Sequence, residues 1–217
     1  MGRYPFSGPL EAAGFGGNIK VIDYLFARNP EVAERDWYRC FIGACGGGHL
    51  NIVAMFIALF PNGILDQFRN SYPLYAAFSG RHREIITLLL KQGFQFDSCC
   101  WEIACESGDC EFIQWVMATI DYRFDWRVGL VAACHLPSLA ATKLLLPHLT
   151  GDSEFDDVFI ELIYHDEEGI ALVELLLEHG AKVNEKVIQQ CYENSTTATS
   201  SYLLDRIHRC HQKSRSS

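Results

Sequence analysis

Residues 44–53 read ACGGGHLNIV, and this order of small, glycine and aliphatic residues decides the fold. It places an anchor alanine, Ala44, then a glycine-rich corner, then an aliphatic pair, Ile52-Val53. The same order recurs about every 27 to 33 residues along the 217-residue chain. Repetition at this spacing predicts a solenoid, in which each unit packs only against its neighbours.

Six copies of the pattern follow one another. We take the sixth copy, which has one extra residue, as Ile160, Ile163-Tyr164 and Leu172-Val173. A polar and irregular segment at 188–207 follows it and reads as a terminal cap. In the first five copies the anchor is an alanine, namely Ala13, Ala44, Ala77, Ala104 and Ala133, and in the first four of them an aliphatic pair starts eight residues later.

Each copy predicts two short antiparallel helices joined by a tight corner. The aliphatic pair returns three or four residues later, as in Ile85-Ile86 and Leu89-Leu90, which is the spacing of one buried helical stripe. Pro9 and Pro73 suit the first turn of a helix, where a missing N–H costs little. The second helices end at residues that tolerate the left-handed cap conformation, namely Asn29, Gly93 and Gly180.

The array resembles ankyrin repeats. Besides residues 44–53, the matching motifs are PLYAA at 73–77 and VELLLEHGAKVN at 173–184, and the resemblance covers about residues 8–205. It implies an all-α, helix-turn-helix solenoid of about six to seven repeats. We therefore expect a repeat domain over 1–205 and a basic, flexible tail over 206–217. Pro137 departs from the family pattern, because it occupies the corner-glycine position of the fifth copy.

Composition limits the classes of partner and compartment. The formal net charge of −9 argues against general nucleic-acid binding, which needs a positive surface. The apolar runs are too short to cross a membrane. Of nine cysteines, three follow an anchor alanine and replace a small buried residue: Cys45, Cys105 and Cys134. We expect a reduced, intracellular protein, cytoplasmic or nuclear, that is monomeric and binds no membrane.

Several groups of residues could suggest a metal, phosphate or catalytic site, but none has the residues and spacing that such a site requires. Cys45 with His49, and the group His208, Cys210 and His211, lack the paired spacing of a zinc site. The glycine runs at 14–17 and 46–48 join two helices and precede no Lys-Ser or Lys-Thr pair, unlike a phosphate loop. The thiols at 100, 105 and 110 lie among acidic residues, which raise a thiol pKa. We expect no catalytic residue, cofactor or metal.

Aromatic and Arg residues, which are enriched at interface hot spots, cluster in three segments that we interpret as inter-repeat tips. In ankyrin-like arrays the tips and the first helices line a concave binding face, so the resemblance implies a non-enzymatic protein-interaction module. We expect Arg39, Arg69, Arg123 and Arg127 to be the least buried of these residues. The predicted partner-binding residues are Trp37, Tyr38, Arg39, Phe68, Arg69, Tyr72, Tyr122, Arg123, Phe124, Trp126 and Arg127.

Three other interpretations stay open. The chain could be an enzyme with an atypical site near Cys134, His135 and neighbouring acids. It could instead be the targeting part of a larger protein. The acidic stretch at 152–157, continued at 166–168, is a solvated linker with a helix start or a docking site for a basic segment.

Overall fold

The computed structural model describes residues 8–28, 30–59, 72–149 and 155–215, with side chains at 8–28, 37–59, 72–149 and 155–209. Within these ranges the chain forms fourteen α-helices and no strand. The prediction of an all-α fold is therefore confirmed. The chain divides into two compact units, residues 1–103 and 104–217.

The helices alternate between the first and the second helix of successive repeats. Seven helix pairs result in the described part of the chain, which agrees with the expected six to seven repeats. A 3₁₀ turn, Leu146–His148, follows the helix that ends at Leu145. The bounds are α1 Pro9–Phe15, α2 Ile19–Arg28, α3 Pro30–Gly47, α4 Leu50–Leu59, α5 Tyr72–Ser79, α6 Arg83–Lys91, α7 Ser98–Glu106, α8 Cys110–Thr119, α9 Trp126–His135, α10 Leu139–Leu145, α11 Asp156–Leu162, α12 Glu167–Glu178, α13 Glu185–Glu193 and α14 Ala198–Arg215.

Neighbouring repeats pack first helix on first helix and second helix on second helix. In the first unit α1 contacts α3 and α3 contacts α5; in the second unit α9 contacts α11 and α11 contacts α13. The predicted anchor and pair residues form the core, since Ala44, Val53 and Leu74 are fully buried. Each helix pair covers only part of its apolar surface, so the neighbouring repeat supplies the rest of its stability.

Histidines link successive repeats in the first unit. His49 Nε2 lies 2.8 Å from the carbonyl oxygen of Phe15, and His82 Nε2 lies 3.1 Å from that of Gly46. Both carbonyls lie at or near the C-terminal end of the preceding first helix, where no intrahelical donor remains. Through these contacts each histidine ties the corner of its own repeat to the first helix of the preceding repeat.

The corners turn through one left-handed residue, four positions after the anchor alanine. Gly17, Gly48 and Gly108 hold it at φ 67°, 82° and 66°. In the third repeat this residue is Arg81, at φ 58°, although a glycine, Gly80, directly precedes it. The fifth repeat has Pro137 there, whose ring excludes a positive φ. At that corner the chain leaves α9 through Leu136, whose backbone is extended.

The register of the sixth repeat differs from the prediction by one residue. Leu162 and Ile163 are buried where Ala133 and Cys134 lie in the fifth repeat, whereas Tyr164 is 55% exposed. The extra residues of this repeat lie between Ile163 and Leu172. The prediction placed the anchor by its distance from the aliphatic pair at Leu172, and the anchor is therefore one residue off.

The chain ends in a long helix. Helix α14 continues to Arg215, past the position where we expected the repeat domain to give way to a tail. The division at residues 205 and 206 stays a prediction. None of the helices in the described ranges has both the length and the apolar character that a membrane crossing requires.

Candidate partner-binding surface

The prediction that Trp37 to Arg39 form an inter-repeat tip outside the helices is wrong. The segment lies inside α3, because that helix begins at Pro30, two residues after α2 ends. The Trp37 side chain is only 6% exposed and stacks on Phe56, with ring centroids 5.7 Å apart. Tyr38 and Arg39 are half-buried, with the Arg39 guanidinium 5.4 Å from the Tyr38 ring centroid. Trp37 is therefore a core residue of the first unit.

The second predicted tip is only partly described. Phe68 and Arg69 lie outside the described residues. Tyr72 is exposed and is the first residue of α5. Its ring meets that of Tyr75 edge-on, at a centroid distance of 6.1 Å. Of the predicted residues in the second tip, the structure therefore describes only Tyr72, an exposed aromatic side chain at the start of α5.

The third predicted tip, Tyr122 to Arg127, spans the end of the loop between α8 and α9 and the first two residues of α9, and it holds a row of aromatic rings. Tyr122 and Phe124 have ring centroids 5.6 Å apart, and Phe124 and Trp126 are also 5.6 Å apart. Trp126 then stacks on His148, at 4.0 Å and an interplanar angle of 12°. We call these four residues the aromatic ladder. Its three aromatic residues are half-buried and His148 is exposed, so the ladder presents rings to solvent.

Local hydrogen bonds shape this loop. The Asp125 carboxylate accepts from the Val128 amide at 3.2 Å and so caps the start of α9. The Phe124 amide donates to the Tyr122 carbonyl at 3.1 Å. Residues 120–125 are not helical, and the backbone is extended at Ile120 and Asp125. The loop therefore brings Tyr122, Phe124 and Trp126 together.

Charged residues flank the aromatic ladder. Arg123 and Arg127 are exposed, as predicted. The Arg127 guanidinium is 2.8 Å from the Asp157 carboxylate of the next repeat, and Lys186 approaches the same carboxylate at 3.7 Å. Exposed ion pairs of this kind contribute about 0–1 kcal/mol. Arg127 thus joins neighbouring repeats, whereas Arg123 extends into solvent beside the rings.

The pair Cys134 and His135, which the enzymatic interpretation invoked, does not form a nucleophile and its base. Cys134 is fully buried, and burial raises the pKa of its thiol to about 12. Its sulfur lies 3.9 Å from the Thr142 hydroxyl. His135 is exposed and its Nδ1 is 2.8 Å from the Glu161 carboxylate. A protonated thiol in the core is a poor nucleophile. Among the described side chains, no three His, Cys, Asp or Glu residues are grouped as metal ligands.

Thiol reactivity should separate the cysteines into two classes. Burial raises the pKa of six thiols, for example that of Cys40 to about 12, so they stay protonated at neutral pH. We expect iodoacetamide to modify the exposed Cys99 at least about a hundredfold faster than any of these six in the native protein. Peptide mass spectrometry would measure the rates, with denatured protein as the control. Equal native rates would contradict the buried placement of Cys40, Cys45, Cys100, Cys105, Cys134 and Cys191.

Comparison with known proteins supports the fold. No protein-family model matches the chain, and no curated protein sequence matches it. Five solved chains match the structure. One is the human ASB11 ankyrin repeat domain, with a TM-score of 0.54, 21% sequence identity, and coverage of 82% of this chain and 86% of that chain. Together with the helix pairs and corners described above, this similarity shows that the chain has the ankyrin-repeat fold.

Proposed function

We propose that this chain is a non-enzymatic protein-interaction module that binds a partner protein through the aromatic ladder and Arg123. One observation carries the proposal: half-buried aromatic rings lie in a row that runs from the loop between α8 and α9 over the start of α9 to the exposed His148. Stacked repeats offer extended surfaces rather than deep reaction sites, and aromatic and Arg residues dominate binding hot spots. A loop whose rings already contact one another loses little conformational entropy on binding.

The other predicted residues have lesser parts in this proposal. Tyr72 is exposed and Tyr38 and Arg39 are half-buried, so they are available to a partner of the first unit. Arg127 orients the loop through Asp157. Trp37 is left out, because a core side chain cannot contact a partner without rearrangement of α3.

The test uses two charge reversals of similar exposure. Arg123→Glu should weaken capture of a crosslinked partner protein at least about tenfold, since it places an unpaired acid beside the binding rings. Lys143→Glu, at an exposed position of α10 in the same unit, is the matched control and should leave capture unchanged. Thermal melts of both variants would check that they fold alike. Capture that survives Arg123→Glu, or falls equally in both variants, would rule out this binding surface.

A further inference from the structure

The corners of the fifth and sixth repeats carry apolar side chains that the other corners lack. In the other five helix pairs that the structure describes, the residues between the two helices are glycine or polar; they are residues 16–18, 48–49, 80–82, 107–109 and 194–197. The fifth corner holds Leu136, which is 59% exposed, and the sixth holds Tyr164, which is 55% exposed. Side chains so open to solvent add little to the core of their own repeats.

These two corners lie side by side. Helix α9 packs on α11 and α10 packs on α12, so the turns that connect them are neighbours. His135, next to Leu136, has its Nδ1 atom 2.8 Å from the carboxylate of Glu161, which lies three residues before Tyr164. Leu139 begins α10 and is 42% exposed. We call Leu136, Leu139 and Tyr164 the corner patch.

Acidic side chains border the corner patch. From residue 135 to residue 178 the sequence has ten acidic residues, and its one Lys or Arg is Lys143. Asp166, Glu167 and Glu168 directly follow the sixth corner and are exposed, as is Glu178 at the end of α12. A helix dipole favours acids in the first turn but opposes an acid in the last turn. The dipole of α12 therefore does not account for this whole acidic surface.

The corner patch is separate from the aromatic ladder. Trp126 of the ladder is the first residue of α9, whereas the patch begins directly after the last residue of this helix, His135. A helix of ten residues is about 15 Å long, so the two surfaces lie at opposite ends of α9.

We propose that the corner patch binds a basic, amphipathic helix of a partner protein. Apolar side chains of that helix, spaced by three and four residues, cover the corner patch, and its Lys and Arg residues face the acids of α12. Charge complementarity selects this occupant, because the same acids repel a nucleic acid or an anionic membrane surface. The proposal concerns a different surface from the aromatic ladder and does not rest on the proposed function.

Fluorescence anisotropy of a labelled peptide, titrated with the full chain, tests the proposal. The probe is a helical peptide of about 18 residues with leucines on one face and lysines on the other. Because the patch is small and charge attraction is screened by ions, we expect weak binding that falls as salt is added. A second peptide, with glutamate in place of every lysine, should not bind.

Two pairs of variants separate the patch from general attraction to an acidic chain. Leu136→Ser combined with Tyr164→Ser should weaken binding of the lysine peptide at least about tenfold, since apolar contact is lost and no charge changes. Leu59→Ser, at a side chain of 62% exposure on α4, is the matched control and should bind like the wild type. Glu168→Lys should weaken binding at least about fivefold, whereas Glu102→Lys, at an exposed acid of the first unit, should have little effect.

Three results would overturn the proposal. They are a lysine peptide that binds no better than the glutamate peptide, a loss of affinity in Leu59→Ser as large as that in the double variant, and equal effects of Glu168→Lys and Glu102→Lys. All the substituted side chains are exposed, so the variants should fold, and thermal melts would verify this.

Discussion

Substitution of Gly43 by alanine is expected to destabilise the first unit by about 2–3 kcal/mol. Gly43 lies on α3 where that helix touches the backbone of α1. A Cβ at this position would overlap the carbonyl oxygen of Glu11 and lie 2.9 Å from the amide nitrogen of Phe15. Both atoms belong to the backbone of a packed helix, so no side-chain rotation can relieve the overlap. The two first helices would have to separate.

The contact is reciprocal, which raises the cost of separation. A Cβ on Gly14 of α1 would overlap the carbonyl of Cys40 on α3, and one on Gly47 would overlap the carbonyl of Phe15. Moving α1 away from α3 would also strain the contact of His49 with the Phe15 carbonyl. Small residues on both helices thus set the spacing of the first two repeats.

Gly46→Ala provides the matched control, because it lies on the same helix. Its Cβ would meet the Ala76 methyl group at 3.5 Å and the Phe15 ring at 3.6 Å, which are ordinary contacts. Replacing a helical glycine by alanine then stabilises by about 0.5–1 kcal/mol. Denaturant titrations followed by circular dichroism would measure both variants. A Gly43→Ala variant as stable as Gly46→Ala would show that α1 and α3 do not approach at backbone distance.

The sequence predicts the register of the repeats because the buried residues recur at a regular spacing along the chain. An anchor such as Ala44 and a pair such as Ile52-Val53 must face neighbouring repeats, so their spacing is fixed by the helices. The close approach at Gly43 left no such signal. The glycines that stand out in sequence are those of the corner, whereas the need for Gly43 comes from a carbonyl 32 positions away, at Glu11.

The sequence predicts the candidate site only where its residues lie close together along the chain. Tyr122, Phe124 and Trp126 alternate in one short segment, and the structure joins their rings in the same order. The contribution of His148 comes from the turn after α10 and could not be predicted, because no local pattern connects it to Trp126. Trp37 was misassigned although Pro30 signalled a helix start and Phe41 lies one helical turn further on.

The protein is expected to lose stability in mild alkali, between about pH 9 and pH 10.5. Each compact unit buries three thiols whose pKa is raised by burial above the ordinary value of 9.0. In the unfolded chain these thiols ionise as the pH passes 9, whereas in the folded chain they stay protonated up to about pH 12 for Cys40 and Cys134. The unfolded state then binds fewer protons than the folded state, so stability falls as pH rises.

The arithmetic makes the expected effect large. One pH unit above the unfolded pKa, each such thiol lowers the free energy of unfolding by about 1.4 kcal/mol. Two of these thiols in each unit, Cys40 and Cys100 in the first and Cys105 and Cys134 in the second, together lower it by about 3 kcal/mol, against a total stability of typically about 5–15 kcal/mol for a domain. The stability contributed by these thiols is fully present below pH 9 and is lost through the window up to the folded pKa.

Urea titrations in reducing buffer at pH 8 and pH 10 would measure this loss directly. The triple variant Cys45→Ala, Cys105→Ala, Cys134→Ala removes three of the six buried thiols. These three are the ones that directly follow an anchor alanine. We expect it to lose about half as much stability between the two pH values, because the difference cancels any cost of packing at pH 8. Cys99→Ala, at an exposed thiol, is the control and should behave as the wild type. If the triple variant lost as much stability as the wild type, the alkaline transition would have to arise from groups other than the buried cysteines.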